Sequence, residues 1–323
     1  MDLASEVRRL VLDVLAVDVA GCLERAGIPH VLLKGPSTAI WLYDPPRSYC
    51  DVDMLVPLSR ISEVRTALES AGLAYARAGW VGEEAQHSLL MLSPAGREVD
   101  VHISLPAIPP AGDRAWEVLA PHVEPLDLGI GTVSALDETA RCLILALHAL
   151  GSAPGGRPAE DLRRARAVTT DDQWREALYL ARALNAEDLF LAGLSAGDTG
   201  SSRVVLSRRA YLYVTCAPSE ALALQRLLST PWRDLPKQLW REIFPTLGFM
   251  RHAYPCARGP IALTRAYAAR WRRIGGRFPS AIRVWHRAAR AEYRLAGWGR
   301  AGQRERSPPG WFAGDAPSRR LES

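Results

Sequence analysis

The chain has 323 residues, 48% of them hydrophobic and 23% charged, with a formal net charge of +5. That balance describes a globular protein and excludes a fibrous or wholly disordered one. The sequence has no run of 18 or more uncharged apolar residues, which excludes a transmembrane helix, and its five cysteines form no CxxC pair, so they read as reduced thiols in a cytoplasm and offer no zinc site.

Residues 2–27 carry charges throughout an apolar pattern, which marks an amphipathic helix rather than a signal peptide; Gly27 and Pro29 end it. HVLLKG (30–35) is a short β-rich run, and Pro36 with small hydroxyl residues opens a helix over 36–43. DPPRSYC is a turn-rich loop, and DVDMLVP (51–57) is a strand closed by proline. Residues 59–72 read as a helix with Ser59 as its cap and Ile61, Val64 and Leu68 along one stripe. Residues 87–105 read as two strands around a Ser-Pro-Ala-Gly turn, a hairpin, and His87 at its start has a structural part. Proline and glycine are frequent from 106 to 135, with one more short strand expected at 126–134. Helical patterns then dominate to about 299, interrupted by a glycine- and proline-bearing segment at 151–158. The last twenty residues have the composition of a disordered tail. The expected organisation is an α/β domain over 1–135 with an N-terminal helix, an all-α domain over 136–302, and a tail over 303–323.

Side chains alternate faces along a strand, so Asp51 and Asp53 point one way and Val52 the other. In REVDVHI, Glu98, Asp100 and His102 share a face, and Val99, Val101 and Ile103 share the buried one. If the two strands are neighbours, Asp51, Asp53 and Asp100 converge. Uncompensated, such a cluster repels itself. A hard divalent cation removes the conflict: Mg²⁺ takes one or two carboxylates and completes its shell with water and substrate phosphates. The preceding VLLKGPSTA supplies a Lys-Gly turn. Gly35 permits close backbone approach, and a helix start at Pro36–Ser37 turns unpaired N–H groups toward phosphate. Lys34 is one of two lysines among 40 basic residues, which points to a need for a compact ammonium. Arg47, four residues before Asp51, braces the carboxylates, holds a triphosphate, or makes a structural salt bridge.

The order LLKG, then R...DVDMLV, then VDVH resembles the uncharacterised nucleotidyltransferase family of the polymerase-β-like superfamily. The resemblance covers about residues 5–275, its specific motifs lie within 30–105, and Lys34-Gly35 stands where the superfamily usually has Gly-Ser. It implies an α/β (α+β) nucleotidyltransferase domain with a mixed sheet, followed by an all-α domain that shapes the acceptor site. It further implies Mg²⁺, with Mn²⁺ as a substitute, and ATP or another nucleoside triphosphate as co-substrate. Asp51, Asp53 and Asp100 would be the catalytic and metal-binding acids, with Asp100 helping to deprotonate an acceptor hydroxyl. Lys34, Gly35, Ser37 and Arg47 would bind the nucleotide, and His102 would be an accessory group. The implied reaction moves AMP to a hydroxyl of a small molecule, peptide or protein, with peptide natural products among the acceptors. Phosphoryl transfer on the same fold and non-catalytic nucleotide binding, as in an antitoxin-like regulator, are the alternatives.

Other signals have plainer readings. Arg141 and His148 lie seven apart on one helix, a spacing found in helical ribonucleases, yet His148 reads as a core histidine. Asp161 with Arg163 and Arg164 reads as a helix cap and a solvated face. Tryptophans recur through the C-terminal helices, from Trp232 to Trp298; with no RNA-binding motif beside them, they read as packing, and nucleic acid is not an expected partner. Arginines concentrate in the same C-terminal region, where a solvated helical face accounts for them.

Overall fold

The computed structural model describes residues 3–75, 88–108, 111–150, 156–197, 203–215, 217, 219–244, 250, 259–289 and 292–294. The expected tail at 303–323, His87 and Trp298 lie outside the described residues. The N-terminal part consists of α1 (Leu3–Arg25), β1 (Val31–Leu32), α2 (Pro36–Leu42), β2 (Asp51–Leu55), α3 (Ile61–Ser70), β3 (Ala74–Tyr75), β4 (Ser88–Leu92), β5 (Glu98–His102), α4 (Arg114–Leu119), β6 (Val123–Asp127) and β7 (Thr132–Leu136). The seven strands form one sheet in the order β3-β4-β5-β2-β1-β7-β6. It is mixed: β2 with β5 and β1 with β7 run parallel, and the other neighbours are antiparallel.

The period-two pattern of the strands divides the core. Val52, Met54, Val99 and Val101 face α1 and α3, where they pack with Leu12, Leu23, Val64 and Leu68. Val31, Leu33 and Leu55 join the other cluster, built on Leu143, Leu147 and the helices beyond. Because Asp51 and Asp53 alternate with Val52 and Met54, they lie on the Leu55 side of β2, toward the helical part.

That part contains α5 (Glu138–Ala149), α6 (Arg157–Val168), α7 (Asp171–Ala183), α8 (Glu187–Gly197), β8 (Arg203–Val205), α9 (Arg208–Val214), α10 (Ser219–Ser229), α11 (Leu235–Ile243), α12 (Pro260–Ala288) and β9 (Glu292–Arg294). The central helix α5 is buried from Thr139 through Leu147 and packs against α6, α7 and α8. Gly193 of α8 is the point of closest approach: a Cβ there would stand 1.9 Å from the Ala146 carbonyl oxygen. No helix among the described residues is long and apolar enough to cross a membrane.

Several local expectations differ from the fold. Ser59 does not cap α3. Its backbone N–H and its hydroxyl bond Asp113 at 2.8 and 2.6 Å, and a short 3-10 turn at Leu58–Arg60 leads into the helix. A remote carboxylate thus takes the hydroxyl that local geometry would have used. The single strand expected at 126–134 is a hairpin of β6 and β7, because Gly129 at φ +77 and the Leu128-to-Gly131 backbone bond turn the chain back. The helical part is not wholly helical: β8 pairs antiparallel with β9. Helical structure therefore stops short of 299 among the described residues.

Candidate active site

The parallel register of β2 and β5 sets Asp53 opposite Asp100 and Asp51 opposite Glu98. His102, two residues beyond Asp100, falls on the same face. Its Nε2 lies 3.0 Å from Asp53 Oδ1 and 3.3 Å from Asp100 Oδ2. Both neighbours are acceptors, so Nε2 carries the proton and donates. Ligand atoms of Asp53, Asp100 and His102 all lie within 4.8 Å of one another. Lys34 Nζ is 3.1 Å from Asp53 Oδ1. Asp53 is 1% exposed; one of its oxygens serves both Lys34 and His102, and the other, Oδ2, is buried with no hydrogen-bond partner.

The electrostatics follow from that crowding. Burial alone would raise the Asp53 pKa, but the hydrogen bond from His102 and the Lys34 charge outweigh it and hold the carboxyl below its usual value. Asp51 has no such support: burial, then the charge of Asp53, push its pKa up, with Lys34 opposing. Burial would pull Lys34 down, yet Asp53 and Asp51 together raise it. The site therefore holds one firmly ionised acid and one that resists ionisation. The orphaned Asp53 Oδ2 is a free ligand for a hard divalent cation, and Asp53, Asp100 and His102 are the side chains whose ligand atoms come close enough to share one; Asp51, expected with them, is near enough to feel the charge of Asp53 but is outside that group. His102 touches both Asp53 and Asp100 through the same nitrogen and so ties their orientations together.

The Lys-Gly turn is built against this strand. Gly35 has φ +73, and a Cβ on it would meet the Asp51 carbonyl oxygen at 3.3 Å and the Tyr49 ring at 3.6 Å. Leu33 N–H bonds the Asp53 carbonyl at 2.9 Å, fixing Lys34 beside the acids. Ser37 in the first turn of α2 is fully buried, and its Oγ has no partner. Arg47 has a partner in the helical part: its guanidinium donates to Asp161 of α6 through Nε at 3.0 Å and Nη2 at 2.6 Å. Of the three roles open to Arg47 in the sequence, this geometry is that of a salt bridge.

Residues 3–196 match a family described as uncharacterised nucleotidyltransferase, which is more than half of the chain. The chain belongs to that family. It is thus a transferase of the nucleotidyltransferase class. The solution structure of the antibiotic-resistance factor ANT(2'')-Ia is similar to this nucleotidyltransferase at 15% identity and a TM-score of 0.41, covering 56% of this chain and 95% of that one. The lincomycin-bound lincosamide adenylyltransferase LnuA matches at 13% identity and 0.33, covering 46% and 91%. An antigenic nucleotidyltransferase-like protein from Paracoccidioides brasiliensis matches at 16% identity and 0.35, covering 61% and 96%. No curated protein matches.

Two residues of the nucleotidyltransferase lie beside the site although their sequence context reads as ordinary helix. His148, at the end of α5, is close enough to Lys34 and Asp53 for their charges to act on it; burial first and then Lys34 push its pKa down to about 4, leaving it neutral at pH 7. Arg141 does not accompany it there: it is buried, paired with Glu124 at 2.7 Å and set over the Trp41 ring. The ribonuclease-like spacing of these two residues therefore carries different tasks. Asp161 is no helix cap. It lies within α6, 2% exposed, and accepts Tyr43 Oη at 2.6 Å as well as Arg47. The buried stripe of Ala159, Leu162 and Ala165 around it is the signal that Asp161 faces inward.

Proposed function

We propose that this protein transfers a nucleoside monophosphate, AMP from ATP, to a hydroxyl group of an acceptor and releases pyrophosphate. The acceptor oxygen attacks the α-phosphorus, the bond from that phosphorus to the bridging oxygen of the β-phosphate breaks, and the hydroxyl proton passes to a carboxylate. Asp100 is the fitting receiver of that proton, because its side chain is 26% exposed where that of Asp53 is 1% exposed. Asp51, Asp53 and Asp100 would hold Mg²⁺ or Mn²⁺, which supplies charge neutralisation for the phosphates and alignment of the attacking and leaving oxygens. Lys34 presents an ammonium beside the acids, and Gly35 lets the backbone approach the phosphates. The acceptor hydroxyl belongs to a small molecule, a peptide or a protein.

The observation that carries this reading is the pairing of Asp53 with Asp100 on parallel strands, with Asp53 Oδ2 buried and unpartnered. ATP labelled at the α-phosphate, and separately at the γ-phosphate, tests it. Label reaching the acceptor from the α position, with labelled pyrophosphate released from the γ position, is the expected result. Acceptor labelled from the γ position instead would mean phosphoryl transfer. MgATP affinity unchanged by Asp53→Asn and by removal of the metal would mean nucleotide binding without catalysis.

A further inference from the structure

The segment 43–50 joins α2 to β2 without regular secondary structure and ends one residue before Asp51. Two buried carboxylates, each on a helix outside the acidic cluster, grip it. Asp161 of α6 takes Tyr43 and Arg47 through three directional bonds of 2.6, 3.0 and 2.6 Å. Arg47 Nη1 also donates to the Ser48 carbonyl at 3.0 Å, so the guanidinium ties backbone to helix. The Tyr43 ring is enclosed by the Arg47 and Arg164 guanidinium carbons, 5.4 and 4.3 Å from its centroid. At the other end, Asp13 of α1, 3% exposed, accepts the Tyr49 hydroxyl and pairs with Arg9 at 3.2 Å. Tyr49 is itself 4% exposed, and its ring lies against Gly35 of the Lys-Gly turn.

Ion pairs in such places are weak sources of stability, since the cost of desolvating the charges offsets most of their attraction. What they supply is direction: a bidentate guanidinium–carboxylate contact fixes orientation as well as distance. We propose that Asp161 and Asp13 are positioning residues, a two-point clamp from α6 and α1 that sets the entry of β2 and so the placement of Asp51 and Asp53. This rests on the reading of Asp51 and Asp53 as metal-binding acids. It makes the helical part a working component of the acidic site as well as a wall around it.

The test uses the full chain with Asp161→Asn and, separately, Tyr49→Phe. Neither variant introduces a new buried charge or a large void, and Tyr49→Phe leaves Arg47 untouched. Three quantities are read: Mn²⁺ affinity and MgATP affinity by calorimetry, and amide hydrogen exchange over 50–53 with β7 as internal reference. Each variant is expected to weaken Mn²⁺ binding about tenfold, as loss of a group that orients ligands typically does. Each should also speed exchange over 50–53 and leave β7 unchanged. Exchange over 50–53 that stays at the wild-type rate, or accelerates equally in β7, overturns the clamp. So does an Asp161→Asn variant that binds MgATP more tightly, because Asp161 would then be restraining Arg47 rather than positioning the strand. If the wild type itself binds no Mn²⁺, the metal reading fails alone, and the exchange pattern still decides the clamp.

Discussion

Lys34 Nζ lies 3.1 Å from Asp53 Oδ1, and the pair brings the two sides of the site together: the Lys-Gly turn and the first acidic strand. The contact has a pH signature. Lys34 holds its proton more tightly folded than unfolded. Between the unfolded pKa and the raised folded one, the unfolded chain therefore binds fewer protons, and stability falls as pH rises. The stabilisation from Lys34 is complete below about pH 10.4, the usual lysine value, and disappears above the folded pKa. Urea titrations from pH 8 upward should show a decline in wild type that Lys34→Met lacks. Parallel curves for the two proteins would show that the Lys34–Asp53 pair contributes nothing to stability.

Asp51 predicts opposite signs for stability and ligand binding. Its folded pKa is raised, by burial first and by Asp53 second, so its ionised form works against the cation-free fold at neutral pH. Asp51→Asn should therefore raise the Tm of the metal-free protein at pH 7, by about 2–4 °C. The same variant should lose most of the Tm increase that Mn²⁺ gives the wild type, since mass action stabilises only a form that binds. A lower Tm for Asp51→Asn without metal would contradict the crowding described here.

His148 is pushed down to about 4, below the unfolded histidine value. Between those two values the unfolded chain binds the extra proton, so stability rises with pH through that window and is flat above it. Thermal scans from pH 4 to pH 7 should show this rise in wild type and a weaker one in His148→Gln. An identical slope in the variant would show that His148 titrates normally.

Gly193→Ala probes the contact that seats α5. Alanine is favoured over glycine in a helix by roughly 1 kcal/mol, but its Cβ would strike the Ala146 backbone at 1.9 Å. The backbones must separate, and overpacking of this kind costs about 1–3 kcal/mol. The net change should be destabilising in chemical denaturation, with a correspondingly weaker effect of Lys34 on the His148 pKa as α5 shifts. A stabilised variant would mean that α8 moves freely away from α5.

Much of the acidic site was legible because a strand has a period of two. DVDML and EVDVH each separate acids from aliphatics by alternation alone, and the parallel register of β2 and β5 then brings Asp53 to Asp100. The hairpin of β4 and β5 was legible from its Ser-Pro-Ala-Gly turn, which closes with the Ser93–Arg97 bond at 2.9 Å. What escaped depends on partners remote in the chain. Asp161 meets Arg47 across 114 positions, and Asp13 meets Tyr49 across 36, and neither separation has a local pattern. Ser59 looked like a cap because nothing nearby announces Asp113. His148 is partly buried, as its place on the inner face of α5 implies, but periodicity does not tell that this face also meets the charges of Lys34 and Asp53.

The parallel pairing of β2 with β5 also bears on the order of assembly. Two parallel neighbours cannot be joined by a tight turn, so α3, β3 and β4 intervene between Asp53 and Asp100. The acids meet only when that excursion is closed, which makes their encounter a non-local contact with a loop-closure cost. Nascent or half-folded chains consequently lack the Asp53–Asp100–His102 cluster, and on the proposed reading uptake of Mn²⁺ during refolding would report when β2 and β5 have paired.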